Sequence, residues 1–355
     1  MGVGKQLYKY YYYYALGAMV VLYANAASVS ASGDESRRSS QELIEGGIRY
    51  LVDHQNRQGC WEEKQYPTAF AALAGLAILG AGHTPHRGPY REALQNVTDC
   101  LMSAQRSDGL FVMTHYELEI KPMFGHGFAL LFLNQIYGMD PNPQIETAIK
   151  EAIGLLVKTQ HASGGWNYTP AAWEAEFAVS IVQIQALLAS TKNGFVIPAV
   201  TFDQAIHFMD RARRNQGGFQ YHITGKDDKV SFDITAAGLL IDLWAQQFNV
   251  NKFHERTLSL LEQEDHFKEI LSLQGNVLFR HFYLVQVYHY FETEKKELYF
   301  ESLKDRIYKD MRQTKPGHFY WQMLDLYDEG SVYATAMVLL ILESIDGVLP
   351  LFESL

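Results

Sequence analysis

The sequence holds only two cysteines, Cys60 and Cys100, in 355 residues. That excludes a disulfide-dense scaffold and a thiolate zinc cluster alike. Bases are outnumbered, 30 against 40 acids, and the formal charge of −10 argues against a general nucleic-acid binder. The only dense basic run is Arg211, Arg213 and Arg214. No phosphate-binding glycine loop, Gly-x-Ser-x-Gly elbow or His-Glu-x-x-His helix occurs. Beyond Ala26 no stretch is long and apolar enough to span a membrane. What remains is ordinary for a globular chain: 48% apolar and 20% charged. Such a core needs no cross-link or metal to hold it. Tyrosine is abundant, at 22 residues, which suits a lined cavity as well as a plain core.

The first 26 residues read as a secretory signal. Lys5 and Lys9 give a positive start, Tyr10 to Leu22 an apolar stretch, and Ala24-Asn25-Ala26 a cleavage site. The alternative is an uncleaved anchor, the one route by which this chain would meet a membrane. Residues 27–40 are polar and Ser-rich, which predicts a linker. A periplasmic or secreted destination follows as the expectation. An oxidising compartment permits a Cys60–Cys100 bridge, and two separate thiols remain the alternative.

From residue 41 to about 349 the chain repeats itself. Gln55-x-x-x-Gly59-x-Trp61 recurs as Gln105-x-x-x-Gly109-x-Phe111 and as Gln160-x-x-x-Gly164-Gly165-Trp166. Arg213-x-x-x-Gly217-Gly218-Phe219 and Gln313-x-x-x-Gly317-x-Phe319 follow. The starts lie 50, 55, 53 and 100 residues apart, so a degenerate copy is expected near residue 265, making six units. In each, an amphipathic segment precedes the glutamine. A segment apolar on nearly every side comes after the aromatic: 66–79, 126–136, 177–188, 234–244 and 332–342. A helix apolar all round must be buried all round. Six pairs of one buried and one half-exposed helix predict an all-α fold of two concentric rings, a single (α/α)6 toroid. An open solenoid of helix pairs is the alternative. The aromatic should wedge between neighbouring pairs, with the glutamine bonding helix ends.

The repeated Gln-x-x-x-Gly-x-Trp resembles the fastener motif of triterpene cyclases of the squalene–hopene type. The wider chain resembles small bacterial prenyltransferase and squalene oxidase repeat proteins, over residues 42–346. Full cyclases are about twice this length, with two helical domains. The resemblance implies a central funnel at the loop ends of the inner helices. It also implies a proton-donating aspartate in an Asp-x-Asp-Asp-Thr-Ala motif. Here the matching text is Ser231-Phe232-Asp233-Ile234-Thr235-Ala236, so Asp233 survives without its flanking carboxylates. Asp233 is thus a candidate acid, or alternatively a helix N-cap. Glu174 and Glu176, at i and i+2 before an inner helix, are the other candidate acids. His126, His281, Tyr66 and Tyr333 are candidate ligand-binding residues at inner-helix starts. Related prenyltransferase β subunits hold zinc with Asp, Cys and His. The cysteine is replaced by Thr235, so no metal and no cofactor is expected, although Asp233, His281 and His126 form an imaginable set. The expected function is binding of an apolar isoprenoid or lipid, or of a protein partner, in the funnel. The alternative is a cyclase-like enzyme using Asp233, Glu174 or Glu176.

Overall fold

The computed structural model describes residues 39–61, 66–113, 119–171, 173–221, 223, 229–246, 249–263, 277–322 and 331–347. The signal and linker, and the repeat expected near 265, lie outside these. Twelve α-helices occur among the described residues, all within the unit Ser40–Leu355. In chain order they are α1 Ser40–Asp53, α2 Pro67–Gly80, α3 Arg91–Ser103, α4 Pro122–Met139, α5 Pro143–Thr159 and α6 Phe177–Lys192. They continue as α7 Ala199–Ala212, α8 Phe232–Ala245, α9 Lys252–Leu261, α10 Val277–Val287, α11 Lys295–Asp310 and α12 Ser331–Ile345.

The even-numbered helices bury nearly every residue, as in α2, where all but Phe70 are buried. The odd-numbered helices bury one stripe, as in α1 with Leu43, Ile44, Ile48 and Leu51. Each even helix packs on the next, and α12 packs on α2. The inner ring is therefore closed, and the fold is an (α/α)6 toroid.

The repeated motif joins the units in three ways. The glutamine Nε2 of Gln55, Gln105 and Gln160 donates to the following glycine carbonyl and to the next outer helix, at Ala93, Ala148 and Thr201 respectively. The turn glycine then lies against a carbonyl three residues further along that helix. At Gly164 φ is +97°, and a Cβ would stand 2.0 Å from the Gln204 carbonyl oxygen, so only glycine fits. The indole Nε1 of Trp61 and of Trp166 donates to Leu51 and Leu156, 2.8 and 2.9 Å away, in the last turn of the preceding outer helix. Carbonyls of a last turn lack the usual i+4 partner, and the indole supplies a bond there; the Leu51 carbonyl also accepts from the His54 N–H at 3.1 Å.

Two units depart from this scheme. Arg213 stands in the glutamine position of the fourth. Its guanidinium pairs with buried Asp242 of α8 and lies 5.0 Å over the Phe253 ring of α9. Asp242 also bonds His254 Nε2 of α9 at 2.9 Å, so an ionic cluster holds this junction. In the sixth unit the motif as aligned on Gln313 does not act as expected. Gln313 is exposed and bonds Lys315 instead, while Trp321, not Phe319, donates its indole N–H to Ile307 at 2.7 Å. The turn here is a small antiparallel hairpin, β1 Arg312–Lys315 with β2 His318–Tyr320. It extends a pairing already present as single bridges, Gln105 with Phe111 and Arg213 with Phe219.

This hairpin closes the ring onto α1. Phe319 fills the space that a side chain at Gly46 would need. Arg49 Nη1 donates to the Gly317 carbonyl at 3.1 Å, and the Tyr50 hydroxyl donates to Ser331 at 2.9 Å. Cys60 and Cys100 are disulfide-bonded, tying the first turn to α3.

Candidate functional site

Among the described residues, α1, α3, α5, α7 and α11 each run into a fastener turn, and each turn precedes an inner helix. The inner-helix starts therefore gather at one end of the ring. Pro67 and Pro122 open α2 and α4, where a missing N–H is harmless and the fixed φ suits a helix. None of α2, α4, α6 or α8 has a side-chain cap, so their first N–H groups face this end unsatisfied by their own caps.

An arc of aromatic rings lies along these starts. Tyr333 of α12 meets Phe70 of α2 at 5.0 Å between ring centroids, and Phe70 meets Tyr66 at 6.0 Å. Tyr66 meets Phe124 of α4 at 6.3 Å, and Phe124 meets Tyr168 at 5.7 Å. The Tyr168 and Tyr221 hydroxyls are 2.7 Å apart. Six rings thus span five of the six units, and each is only partly buried. Two exposed apolar residues stand on loops at the same end, Ile120 before α4 (78% exposed) and Trp173 before α6 (93%).

Beneath the arc the ring is crossed. Tyr283 is fully buried, about 9 Å along α10 from its first residue. Its hydroxyl donates to Gln185 of α6 at 2.8 Å, reaching past α8. The region bordered by the arc, with this bridge beneath it, is termed the cup.

Tyr66 and Tyr333 belong to the arc. Glu176 is the N-cap residue of α6 and lies near enough to Tyr168 and Tyr221 to act on both electrostatically. Burial is the main reason those hydroxyls are held above the usual phenol range. Glu174 is exposed, in the turn before α6, and its carbonyl accepts from Asn167 at 2.5 Å. Asp233 is the second residue of α8 rather than its N-cap, which is Ser231. Its carboxylate is 50% exposed and accepts from Arg280, whose side chain is 10% exposed. An ion-paired, half-solvated carboxylate does not have the desolvated setting that the cyclase role requires.

Neither histidine faces the cup. His126 Nδ1 accepts from the Phe111 backbone N–H at 3.3 Å, on the side of α4 that meets the outer ring. Ser180, Thr235 and Thr335 do the same for Trp166, Phe219 and Trp321. His126 is thus the second unit's version of a repeated polar contact, and Thr235 the fourth's. Burial drives the His126 imidazole down to about 4. His281 Nδ1 bonds the Tyr299 hydroxyl of outer helix α11 at 2.6 Å. Asp233, His281 and His126 consequently point to three separate places. Among the described residues no group of three or more His, Cys, Asp or Glu is arranged to hold a metal.

Two features were missed in the sequence. Tyr168 and Tyr221 each follow a fastener aromatic by two residues, in consecutive units, and that register was a legible signal. Glu119 belongs to no motif. Its buried carboxyl accepts from Thr68 Oγ1 at 2.8 Å, its other oxygen has no partner, and burial pushes it up to about 8.

No family model matches the sequence, and no curated protein matches it. Solved structures do. The chain is similar to the type II terpene cyclase MstE from Scytonema, solved with geranylgeranyl dihydroxybenzoate, at 14% identity and a TM-score of 0.58 over 87% of this chain and 99% of that one. It is similar to an α-1,6-mannanase from Salegentibacter at 8% identity and a TM-score of 0.62, over 87% of this chain and all of that one. It is also similar to a D-mannose isomerase at 10% identity and a TM-score of 0.59, over 90% of this chain and all of that one. At these identities the likeness establishes the α/α-toroid fold, shared by enzymes of unlike chemistry, and nothing narrower.

Proposed function

We propose that this protein binds an apolar, isoprenoid- or lipid-like molecule in the cup at the inner-helix starts. The observation that carries the reading is the arc of six partly buried rings above the buried Tyr283–Gln185 bond. Concave, mostly aromatic surfaces with a few convergent polar groups are the usual form of a small-molecule site. The test is native mass spectrometry of protein purified from its own host. A retained apolar ligand, lost in a Phe124→Glu variant that still folds, is the expected result. Protein that is ligand-free from every preparation would count against it, and a co-purifying polypeptide would favour a protein occupant.

An enzymatic reading is favoured by one observation, Glu119. A carboxylic acid still protonated at neutral pH, beside the first turn of α2, is what proton donation requires. In that reading Glu119, rather than Asp233 or Glu174, is the acid to substitute, with loss of turnover in Glu119→Gln as the check. Export is the accompanying proposal. It rests on the charged and apolar start of the sequence and is supported by the Cys60–Cys100 bridge. N-terminal sequencing of the mature protein from fractionated cells would test it.

A further inference from the structure

Two large apolar side chains stand exposed at the mouth of the cup, on loops of adjacent units. Ile120 (78% exposed) precedes α4, and Trp173 (93% exposed) precedes α6. Both flank the step of the arc from Phe124 to Tyr168. The two loops are tied to each other: the Met123 N–H donates to the Tyr168 carbonyl at 3.1 Å, and Lys121 Nζ lies 4.4 Å over the Tyr168 ring. The loop that carries Trp173 is pinned at its base. There the Glu176 N–H donates to the Trp166 carbonyl at 2.8 Å, and the Asn167 amide donates to the Glu174 carbonyl. Among the described residues Trp173 has no ring contact and its indole N–H no hydrogen bond, and exposed Lys121 forms no ion pair. One exposed apolar residue on a surface needs no explanation. Two of this size, beside an unpaired cation and at the edge of a concave aromatic surface, do.

We infer that this rim, Ile120, Lys121 and Trp173, docks on the interface of a zwitterionic phospholipid bilayer. The inference rests on the cup reading for its purpose, since a mouth seated on a bilayer exchanges an apolar ligand without passing it through water. Tryptophan suits the boundary between head groups and acyl chains, where its ring is buried and its N–H stays wet. Lysine reaches from the same level to the lipid phosphates. A net charge of −10 and the exposed Glu174 beside Trp173 oppose an anionic surface, which leaves a zwitterionic one. A stable protein interface buries on the order of 1,000 Å² with matched shape, whereas a bilayer accepts two separate side chains without any such match. No helix among the described residues is long and apolar enough to cross a membrane, so the contact is interfacial. It is a route to a membrane separate from the N-terminal segment.

The tryptophans make the docking visible. Of five, Trp61, Trp166 and Trp321 are buried, and Trp244 lies in the last turn of α8, at the end away from the cup. Phosphatidylcholine vesicles, plain or brominated on the acyl chains, are titrated into the full chain. Emission should shift to the blue with plain vesicles and be quenched by brominated ones, and Trp173→Phe should abolish both signals. Ile120→Glu, with unchanged circular dichroism and melting temperature, should weaken the quenching titration by at least about tenfold, as expected for withdrawing one large apolar side chain. This readout reports the rim even where the N-terminal segment itself holds the protein on the vesicle. Absence of quenching, quenching that survives Trp173→Phe, or indifference to Ile120→Glu would overturn the docking. So would binding confined to phosphatidylglycerol vesicles and abolished by salt, or a dimer that Trp173→Glu dissociates, which would assign the rim to a second copy. Native mass spectrometry scores the cup separately. Protein that retains an apolar ligand yet ignores vesicles loses the docking and keeps the cup, and ligand-free protein that docks through Trp173 keeps the docking and loses the cup.

Discussion

At His126 and Glu119 burial acts on groups of opposite charge type, and the pH dependence of stability separates them. The His126 imidazole, driven from 6.5 to about 4, is neutral in the fold. The unfolded chain takes up its proton first as pH falls, so stability present above about 6.5 is lost toward 4, by roughly 3 kcal/mol. Glu119, raised from 4.5 to about 8, runs the other way. The unfolded chain loses its proton first as pH rises, so stability falls between about 4.5 and 8, by roughly 3 kcal/mol at pH 7. Two variants test this by denaturant titration at pH 4.5 and 7.5. His126→Thr installs the residue that Thr235 and Thr335 supply in other units, and it should remove much of the acid-side loss. Glu119→Gln should gain on the parent at pH 7.5 and show little gain at pH 4.5. Equal differences at both pH values would discard the assignment of either group.

The outer-helix, turn and inner-helix unit is stabilised by the indole bond as well as by packing. Trp166→Phe keeps most of the buried ring and loses the bond to Leu156, which should cost about 1–3 kcal/mol because that carbonyl is left buried and unpaired. Trp166→Ala adds a cavity and should cost about 3–5 kcal/mol. Thermal melts that rank the two variants otherwise would show that the ring, not the indole nitrogen, does the fastening. The disulfide spans 40 residues, and in the chain-entropy model its reduction should cost about 4 kcal/mol. A melting temperature unmoved by dithiothreitol would contradict that. At this scale the sequence was most legible. Apolar periodicity separated outer from inner helices because burial on one side and burial on all sides leave different patterns. The spacing of glutamine, glycine and aromatic located the turns because a close backbone contact admits only glycine there. The sixth unit was misread because a hairpin lengthens its turn, moving the indole from the expected position to Trp321.

For the whole molecule, the ring was legible and the site only partly so. Counting units favoured closure over an open solenoid, and the packing of α12 on α2 decides it, whereas a side chain's direction depends on helical phase and on partners far along the chain. Asp233 finds Arg280 47 residues away, and Tyr283 meets Gln185 across 98. Neither pairing leaves a local trace, so Asp233 looked like an isolated acid. His126 carried no sign that its helix turns it outward to Phe111. Tyr66 and Tyr333 lie at the starts of inner helices, a position that the spacing of the repeat makes legible.

Closure of the ring onto α1 has a topological consequence. The start of α1 at Ser40 and the end of α12 at Ile345 both lie at the end away from the cup, and α1 packs on α12. No unit is then first or last in a physical sense. A circular permutant that joins these ends by a short linker and opens between α6 and α7, at the exposed Val196, keeps every junction between units. It should fold with the same helical content and a similar melting temperature, as judged by circular dichroism. Opening the chain instead between Gln160 and Gly164 would cut a fastener, and that permutant should fail to fold. The order in which the chain visits its six units would then be an accident of where the gene begins, while the pairing of turns with neighbouring helices is the heritable part of the fold.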